Sequence, residues 1–423
     1  MSKPETGIRR IVFGLFLLLI FSLGIMKPSA EMCTLSLTPT DLIFPFVFVC
    51  WFAALTTGYY RFKRRAEFLA FALYFLALAI SSIFSINPGL SFIKLTGHAY
   101  LILLAIMSAS IVTSFGQLKL SLLAWVAGSL LPIAAALIGI IFFYFWPESG
   151  WLPTLTYHYG AVPVGNFPRI SSTFVSPSMF CNYLTVTLIL TLVSARLKWI
   201  GTRLAVAIVF AIAVAAIFTV SIALGGIILA AGFWLSITCS NKLLARVSLV
   251  FGGGLALVFL AIAPFALSLG PGTSFFDRLI PSSRFLVWSD ALNTFLSDPL
   301  TGNGVGTAVA NVVFQNYDGS WSLLTDAHNI FLSVAAQSGI PGLLAMIAII
   351  IVMLNAALSA SNGPEENNYI RRSLAIAFFV PFVYEGLTGS FEDARHLWVL
   401  MGLILAAKSI RDELPQSISM NGV

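Results

Sequence analysis

The chain has 423 residues, of which 58% are hydrophobic and 9% are charged, and its mean hydropathy is +0.94. Soluble domains carry about 25% charged residues, so this composition excludes an ordinary soluble protein. Apolar runs of about 20 residues recur along the whole length, and a helix of that length crosses a bilayer. We therefore predict an all-α, polytopic membrane protein with a single membrane domain over residues 1–423.

Twelve apolar segments are predicted to span the membrane. In chain order they cover about 8–26, 42–60, 66–86, 95–114, 119–146, 179–197, 203–220, 222–240, 246–270, 329–358, 371–389 and 395–411. Lys3, Arg9 and Arg10 precede the apolar run Ile11–Leu23, as basic residues do in a signal peptide. An uncleaved first span is nevertheless favoured.

The net charge of +6 follows a side preference. With the N-terminus in the cytoplasm, 17 of the 23 Lys and Arg residues fall on the cytoplasmic side and 6 fall outside. The outside residues are Lys27, Lys94, Arg169, Arg278, Arg284 and Arg395. This asymmetry is the positive-inside rule, so it predicts that both termini are cytoplasmic. The basic surplus then needs no nucleic acid as a partner.

Two outer loops are long, residues 147–178 and residues 271–328. The first is rich in aromatic residues, proline and glycine, which suits a wall or lid near the membrane interface. The second carries eight ionisable residues, Asp277, Arg278, Arg284, Asp290, Asp298, Asp318, Asp326 and His328. Polar groups beside a membrane cost free energy unless they face water or function, so the second loop is the predicted site of chemistry.

The second loop begins irregularly and is then predicted to be helical from Ser282 to Leu296. Its apolar face comprises Phe285, Trp288, Leu292, Phe295 and Leu296. Such an amphipathic helix suits the membrane surface or the helix bundle. Arg284 lies one turn before Trp288, which fits either a cation–π contact or an anion clamp.

Gly302, Gly304 and Gly306 form a G-x-G-x-G turn that lacks the spacing of a dinucleotide-binding fingerprint. The plain interpretation is a flexible turn with close backbone approach. Further on, Gln337-Ser338-Gly339-Ile340-Pro341-Gly342 predicts a kink in the tenth span.

His328 lies between Asp326 and Asn329, where the long loop re-enters the membrane. A histidine at a span end is more often a capping or interface residue. Its imidazole nevertheless changes protonation near neutral pH, which makes His328 the best general-base candidate in the chain. Asp326 either orients it or caps the helix start.

Two further features lie on the outer side. Arg169 is a second cation there, and alone it is equally well explained by a lipid headgroup contact. A last cluster, Glu385, Glu392, Asp393, Arg395 and His396, fits an ion-pair network between the last two spans. No carboxylate and histidine spacing matches a metal site, so we expect metal-independent chemistry and no cofactor.

Taken in order, these residues resemble the shared domain of bacterial O-antigen ligases and O-antigen polymerases, over about residues 170–390. The resemblance rests on Arg169, Phe174, Pro177, Tyr183, Leu184, Arg284, Trp288, Pro299, Gly302, Gly304, Gly306, His328, Asn329, Gly339 and Gly342. Family members often show Ser-Arg-Gly near the eighth span and Glu before the kink glycine. Here Ser221 is followed by Ile222, and Gln337 precedes the kink, so neither position is given a role.

The resemblance implies a glycosyltransferase of the bacterial inner membrane with a periplasmic active site. Its donor would be a glycan linked to undecaprenyl pyrophosphate. Its acceptor would be a sugar hydroxyl of lipid A–core, or another lipid-linked repeat unit in a polymerase. The implied roles are pyrophosphate binding by Arg284 and Arg169, and proton removal by His328 in one inverting step. Supporting positions are Asp326, Asn329, Trp288, Gly302 and Gly304.

A lipid transporter is the main alternative from another class. It predicts ionisable residues within the spans and two matching halves. The sequence indicates neither, because Lys94, His98 and Glu385 fall at the outer ends of predicted spans. A non-catalytic membrane scaffold is the other alternative.

Overall fold

The structure, a computed structural model, describes residues 3–27, 29–32, 35–60, 66–148, 150, 155–159, 167–267, 279–315, 321–359 and 365–412. The helices are α1 (Lys3–Ser22), α2 (Pro39–Thr56), α3 (Glu67–Ile83), α4 (Pro88–Ile111), α5 (Phe115–Phe145), α6 (Pro177–Arg196), α7 (Thr202–Phe218), α8 (Leu224–Thr238), α9 (Lys242–Ile262), α10 (Ser283–Ser297), α11 (Ile330–Leu358), α12 (Glu365–Phe378) and α13 (Arg395–Asp412). A π-helical turn (Phe379–Tyr384) and a 3₁₀ turn (Glu385–Leu387) extend α12.

Each of the twelve predicted apolar segments contains a helix. Six helices, α2, α4, α5, α6, α9 and α11, are long and apolar enough to cross a membrane. Helices α3, α7 and α8 are apolar but shorter. A mainly helical membrane protein is therefore confirmed, and the count of twelve spans stays a prediction.

Four antiparallel hairpins interrupt the helices, which the all-α prediction did not include. Their strands are β1 (Ala30–Met32) with β2 (Leu35–Leu37), β3 (Thr156–Tyr159) with β4 (Phe167–Ile170), β5 (Phe265–Leu267) with β6 (Leu279–Pro281), and β7 (Val312–Gln315) with β8 (Trp321–Leu324). The predicted span end at residue 270 was wrong, because α9 ends at Ile262 and Pro264 has no N–H to continue it.

Helices α6 and α13 form the centre of the bundle. α6 packs on α5, α7, α8 and α12, and α13 packs on α4, α5, α11 and α12. In the most apolar 18-residue stretch of α6, 78% is buried inside the protein. The corresponding share in α9 is 11%, and α9 packs mainly on α8. α6 is therefore a core helix, whereas α9 lies at the edge.

A kink in α11 holds the segment between α10 and β7, and the predicted kink is confirmed. Gly339 has φ 64° and ψ −166° inside the helix. The break exposes two backbone carbonyls, which accept N–H donors from the loop. Asn303 donates to Ala336 at 2.9 Å, and Gly304 donates to Gln337 at 2.9 Å. The loop thus completes the hydrogen bonding that the kink interrupts.

The predicted close approach at the glycine turn is also present. Gly302 and Gly304 have φ of 66° and 109°, which favour glycine. A Cβ on Gly302 would lie 2.5 Å from the carbonyl carbon of Gln337, and one on Gly304 would overlap the side chain of Ser85. The turn is therefore held tightly against α11 and the segment that precedes α4.

Helix α10 matches the predicted helix to one residue, and the Ser282 hydroxyl caps it by accepting from the N–H of Phe285. Part of its predicted apolar face points outward, as expected for a helix on the membrane surface. Phe285, Leu292 and Leu296 are 48%, 45% and 61% exposed, whereas Val287 and Ala291 are buried. Ala291 faces α11 because a small residue allows close helix contact, and Phe295 packs beside it.

Candidate active site

A cavity of about 1070 Å³ brings together side chains from distant parts of the chain. Arg169 comes from β4 and Arg284 from the first turn of α10. Asp326 and His328 come from the short segment between β8 and α11. All four line the same cavity, so the sequence-predicted cations and the predicted base are neighbours in the fold.

His328 is held in an uncommon backbone conformation. Its φ is +49°, a left-handed value that is rare for residues other than glycine. The carboxylate of Asp326 stabilises this conformation by accepting the backbone N–H of His328 at 3.1 Å. Asn329 then caps α11 by accepting the N–H groups of Phe331 and Leu332. The helix cap thus belongs to Asn329, which leaves Asp326 for His328.

The carboxylate of Asp326 also lies 3.5 Å from Nδ1 of His328. Both side chains are 44% exposed, so the pair faces the cavity. The hydroxyl of Ser390 donates to Asp326 at 2.5 Å and that of Ser333 donates at 3.3 Å, which fixes the carboxylate. A hydrogen on Nδ1 directed at Asp326 leaves Nε2 as the imidazole atom that accepts a proton.

The surroundings of His328 favour its neutral form. Burial in the cavity lowers the pKa of His328, the Asp326 carboxylate opposes this, and the cations of Arg284 and Arg169 lower it further. A pKa below the usual 6.5 keeps the imidazole neutral at pH 7. A neutral imidazole beside fixed cations suits a general base.

Arg284 is fixed by the segment that follows the 3₁₀ turn. One of its terminal N–H groups donates to the backbone carbonyl of Thr388. The neighbouring carbonyl of Leu387 accepts from the side-chain amide of Asn329 at 3.1 Å. One short segment therefore contacts both the arginine and the residue that follows His328.

Arg169 lies opposite Tyr157 in the hairpin of β3 and β4. Its Nε donates to the carbonyl of Thr219 at 3.1 Å. The next residue, Val220, has φ of +44°, and Ser172 has φ of +50°. Backbone strain of this kind costs roughly 1–3 kcal/mol per residue and concentrates at functional sites.

The other predicted site residues do not line the cavity in the described part of the chain. Gly302 and Gly304 build the turn against α11, and Asn329 caps that helix. Trp288 is half-buried in α10, and its stacking with Arg284 stays a prediction. The contacts of Gly302, Gly304 and Asn329 are thus structural, and the supporting role of each residue stays a prediction.

The last outer cluster differs from its prediction, because its members have partners elsewhere. Arg395 forms an ion pair with Asp41 at 2.7 Å. The imidazole of His396 bonds with the side-chain oxygen of Asn182 at 2.8 Å. Glu385 is fully buried and accepts from Thr185 at 2.6 Å, and its position at the outer end of a span stays a prediction.

Sequence reasoning missed this buried network. Asn182 and Thr185 are three residues apart on α6, so they form one polar patch on an apolar helix. The amide of Asn182 donates to the carbonyl of Pro381, within the π-helical turn, at 2.8 Å. The polar patch on a core helix was the available signal, since such groups bond across helices.

Gln337, to which the sequence analysis gave no role, also makes several contacts. Its side-chain oxygen accepts the backbone N–H of Gly306 at 2.7 Å, and its own carbonyl accepts from Gly304 and from the hydroxyl of Ser81. The residue joins the kink to the glycine turn.

In the part of the chain that the structure describes, no group of three or more His, Cys, Asp or Glu side chains is arranged to hold a metal ion. Cys50, Cys181 and Cys239 are free thiols, and Cys33 lies outside the described residues. Metal-independent chemistry stays a prediction.

The fold and the cavity define a helical membrane protein in which β4, α10 and the segment between β8 and α11 build a polar site. The family model described as O-antigen ligase matches residues 181–347. This segment contains Arg284, Asp326 and His328, and it confirms the family resemblance predicted from the sequence. Residues 181–347 are thus similar to the O-antigen ligase family, and this similarity points to a membrane enzyme of the ligase or polymerase type. No curated protein matches the chain.

Proposed function

We propose that the protein transfers a glycan from undecaprenyl pyrophosphate to a sugar hydroxyl, with lipid A–core as the acceptor. The observation that carries this proposal is the convergence of Arg169, Arg284 and the Asp326–His328 pair on one cavity. These groups match the two needs of the reaction, a cationic site for a leaving pyrophosphate and a base for an attacking hydroxyl.

The donor end of the reaction requires fixed positive charge. A glycan acceptor outside the inner membrane has no nucleotide pool beside it, so the donor arrives already activated on a lipid pyrophosphate. Arginine suits this group, because its planar guanidinium stays charged and binds phosphate oxygens in pairs. Arg284 and Arg169 bind the pyrophosphate and stabilise the charge that grows on it in the transition state.

The transfer is a single displacement at the anomeric carbon. The acceptor oxygen forms the new bond to that carbon while the bond from the carbon to the pyrophosphate oxygen breaks. Nε2 of His328 accepts the hydroxyl proton, and undecaprenyl pyrophosphate leaves with the electron pair. One displacement inverts the anomeric configuration and requires no metal ion.

The active site faces the periplasm, and both termini lie in the cytoplasm. The positive-inside count supports this orientation. Four of the six basic residues assigned to the outer side, Lys94, Arg169, Arg284 and Arg395, line the one cavity. A shared location at one end of the bundle is what a common periplasmic side requires.

Reconstitution tests the proposal. The full chain in liposomes receives undecaprenyl-pyrophosphate glycan and either lipid A–core or a second lipid-linked repeat unit. We expect an inverted linkage to lipid A–core. Polymer on the carrier lipid would identify a polymerase instead, and no transfer to either acceptor by the wild type would reject both.

A further inference from the structure

We infer that Lys94 forms a second anion-binding subsite in the cavity, which holds a phosphate or carboxylate on the acceptor glycan. This inference rests on the proposed function and extends it to the class of acceptor. It concerns the wall of the cavity formed by α4 and the segment before α13, whereas the arginines that bind the donor come from β4 and α10.

The structure makes room for the Lys94 side chain. Lys94 lies in the second turn of α4, is exposed, and lines the cavity. Its aliphatic stem runs across Gly306, where a Cβ would overlap the Lys94 Cγ. Gly306 has φ of +74°, and Gln337 holds it through the bond to its N–H. The Gln337–Gly306 pair thus creates the groove in which the lysine lies.

The ammonium of Lys94 has no ion-pair partner within 4.0 Å in the described part of the chain. The neighbouring cation differs, because Arg395 is held by Asp41 through two bonds of 2.7 and 2.8 Å. Arg395 is therefore already paired within the protein. Among the described residues, Lys94 is not, so its ammonium can bind an anionic ligand.

The contacts of the cations place them on different walls of the cavity. Arg169 and Arg284 donate to the backbone carbonyls of Thr219 and Thr388. Lys94 instead lies against Gly306, and Arg395 is paired with Asp41.

An inverting displacement requires the acceptor and the leaving group on opposite faces of the anomeric carbon. His328 must reach the acceptor hydroxyl, and the arginines hold the leaving group. The acceptor therefore occupies the part of the cavity away from the arginines, on the wall that carries Lys94. Burial and the neighbouring Asp393 and Asp326 carboxylates raise the pKa of Glu392 well above its usual range.

The test uses the reconstituted full chain with one donor and three acceptors. The acceptors are phosphorylated lipid A–core, the same glycolipid after enzymatic dephosphorylation, and a dephosphorylated form that carries a uronic acid. We compare wild type, Lys94→Gln and Lys94→Arg, with Lys242→Gln as a control that removes an equally exposed lysine from α9. The KM and kcat for each acceptor and the KM for the donor are measured.

We expect Lys94→Gln to raise the KM for an acceptor with the matching anion by about ten- to a hundredfold, the range of a hydrogen bond to a charged group. Lys94→Arg restores most of the affinity. The KM for the donor and for the neutral acceptor stay unchanged. If Lys94→Gln raises the KM for the phosphorylated acceptor, the ligand is a phosphate. If it raises the KM for the uronic acid acceptor, the ligand is a carboxylate.

Two results would overturn the inference. An equal effect on charged and neutral acceptors would show that Lys94 acts on structure alone, and a raised donor KM would assign it to the pyrophosphate. Both require wild-type turnover. A wild type that transfers to none of the acceptors rejects the proposed function instead, so the two failures are distinct.

Discussion

Two polar regions lie close together in this protein, and they treat their charges differently. In the cavity, Asp326 and His328 face open space, and each remains 44% exposed. In the bundle behind it, Asn182, Thr185 and Glu385 are fully buried and bond mainly to one another and to backbone. The first region can meet a substrate, whereas the second cannot be reached by one.

In this protein a buried polar network supports an exposed polar site. Buried polar groups inside a bundle link helices when they are paired, so the network ties α6 to the turns after α12. Those turns carry the Leu387 and Thr388 carbonyls that contact Asn329 and Arg284. The bundle network therefore positions the cavity groups, and substitutions in the two regions should affect different quantities.

The largest effect is expected at His328. His328→Ala should reduce the turnover number by about 10²–10⁴, because no other group replaces the base. Its thermal stability should match that of the wild type, since the side chain faces the cavity. Turnover and melting temperature are measured on the same preparation. A fall in both the turnover number and the melting temperature would show that His328 has a structural role.

The next largest effect is expected at Arg284. Arg284→Ala should cost about 3–4 kcal/mol of transition-state stabilisation, read from kcat/KM with the lipid-linked donor. Arg284→Lys should recover only part of this, because an ammonium does not bind phosphate in pairs. Arg203→Ala, an exposed arginine at the start of α7, is the matched control. Equal activity of the alanine variants would contradict the role.

The bundle network predicts a change of stability instead. Glu385→Ala leaves the Thr185 hydroxyl without its carboxylate, which should cost about 1–3 kcal/mol of unfolding free energy. Glu385→Gln keeps the acceptor oxygen and should cost less. Turnover per folded molecule should change little in the glutamine variant. A hundredfold loss there with normal stability would show that Glu385 takes part in chemistry.

The smallest effect is a shift along the pH axis. The base must be neutral, so kcat/KM should fall tenfold per unit as pH drops below the lowered pKa of His328. Arg284 lowers that pKa and Asp326 raises it. Arg284→Gln should therefore move the acidic limb to higher pH, and Asp326→Asn should move it to lower pH. Shifts in the opposite directions would contradict the assignment.

Local signals in the sequence were enough for part of this structure. Ser282 and the Asp298-Pro299 pair bound α10 to within one residue, because capping and proline act locally. The kink at Gly339 was predicted for the same reason. The charge asymmetry also grouped four residues that line the cavity, since side preference applies to whole loops.

The remaining features depend on contacts through space. The 2.6 Å bond between Thr185 and Glu385 joins residues 200 positions apart, and no spacing in the chain predicts it. Periodicity alone left open whether α10 lies on the membrane or on the bundle, and the packing of Ala291 against α11 could not be predicted from it. The hairpins have strands of only 3–4 residues, too short for a periodic pattern.

One measurement tests the central claim, that the cavity groups perform the transfer. Wild type and His328→Ala are reconstituted with undecaprenyl-pyrophosphate glycan and lipid A–core, and donor binding and product formation are followed together. We predict that His328→Ala binds the donor as tightly as the wild type and forms almost no product. Product formation at the wild-type rate by His328→Ala would contradict it.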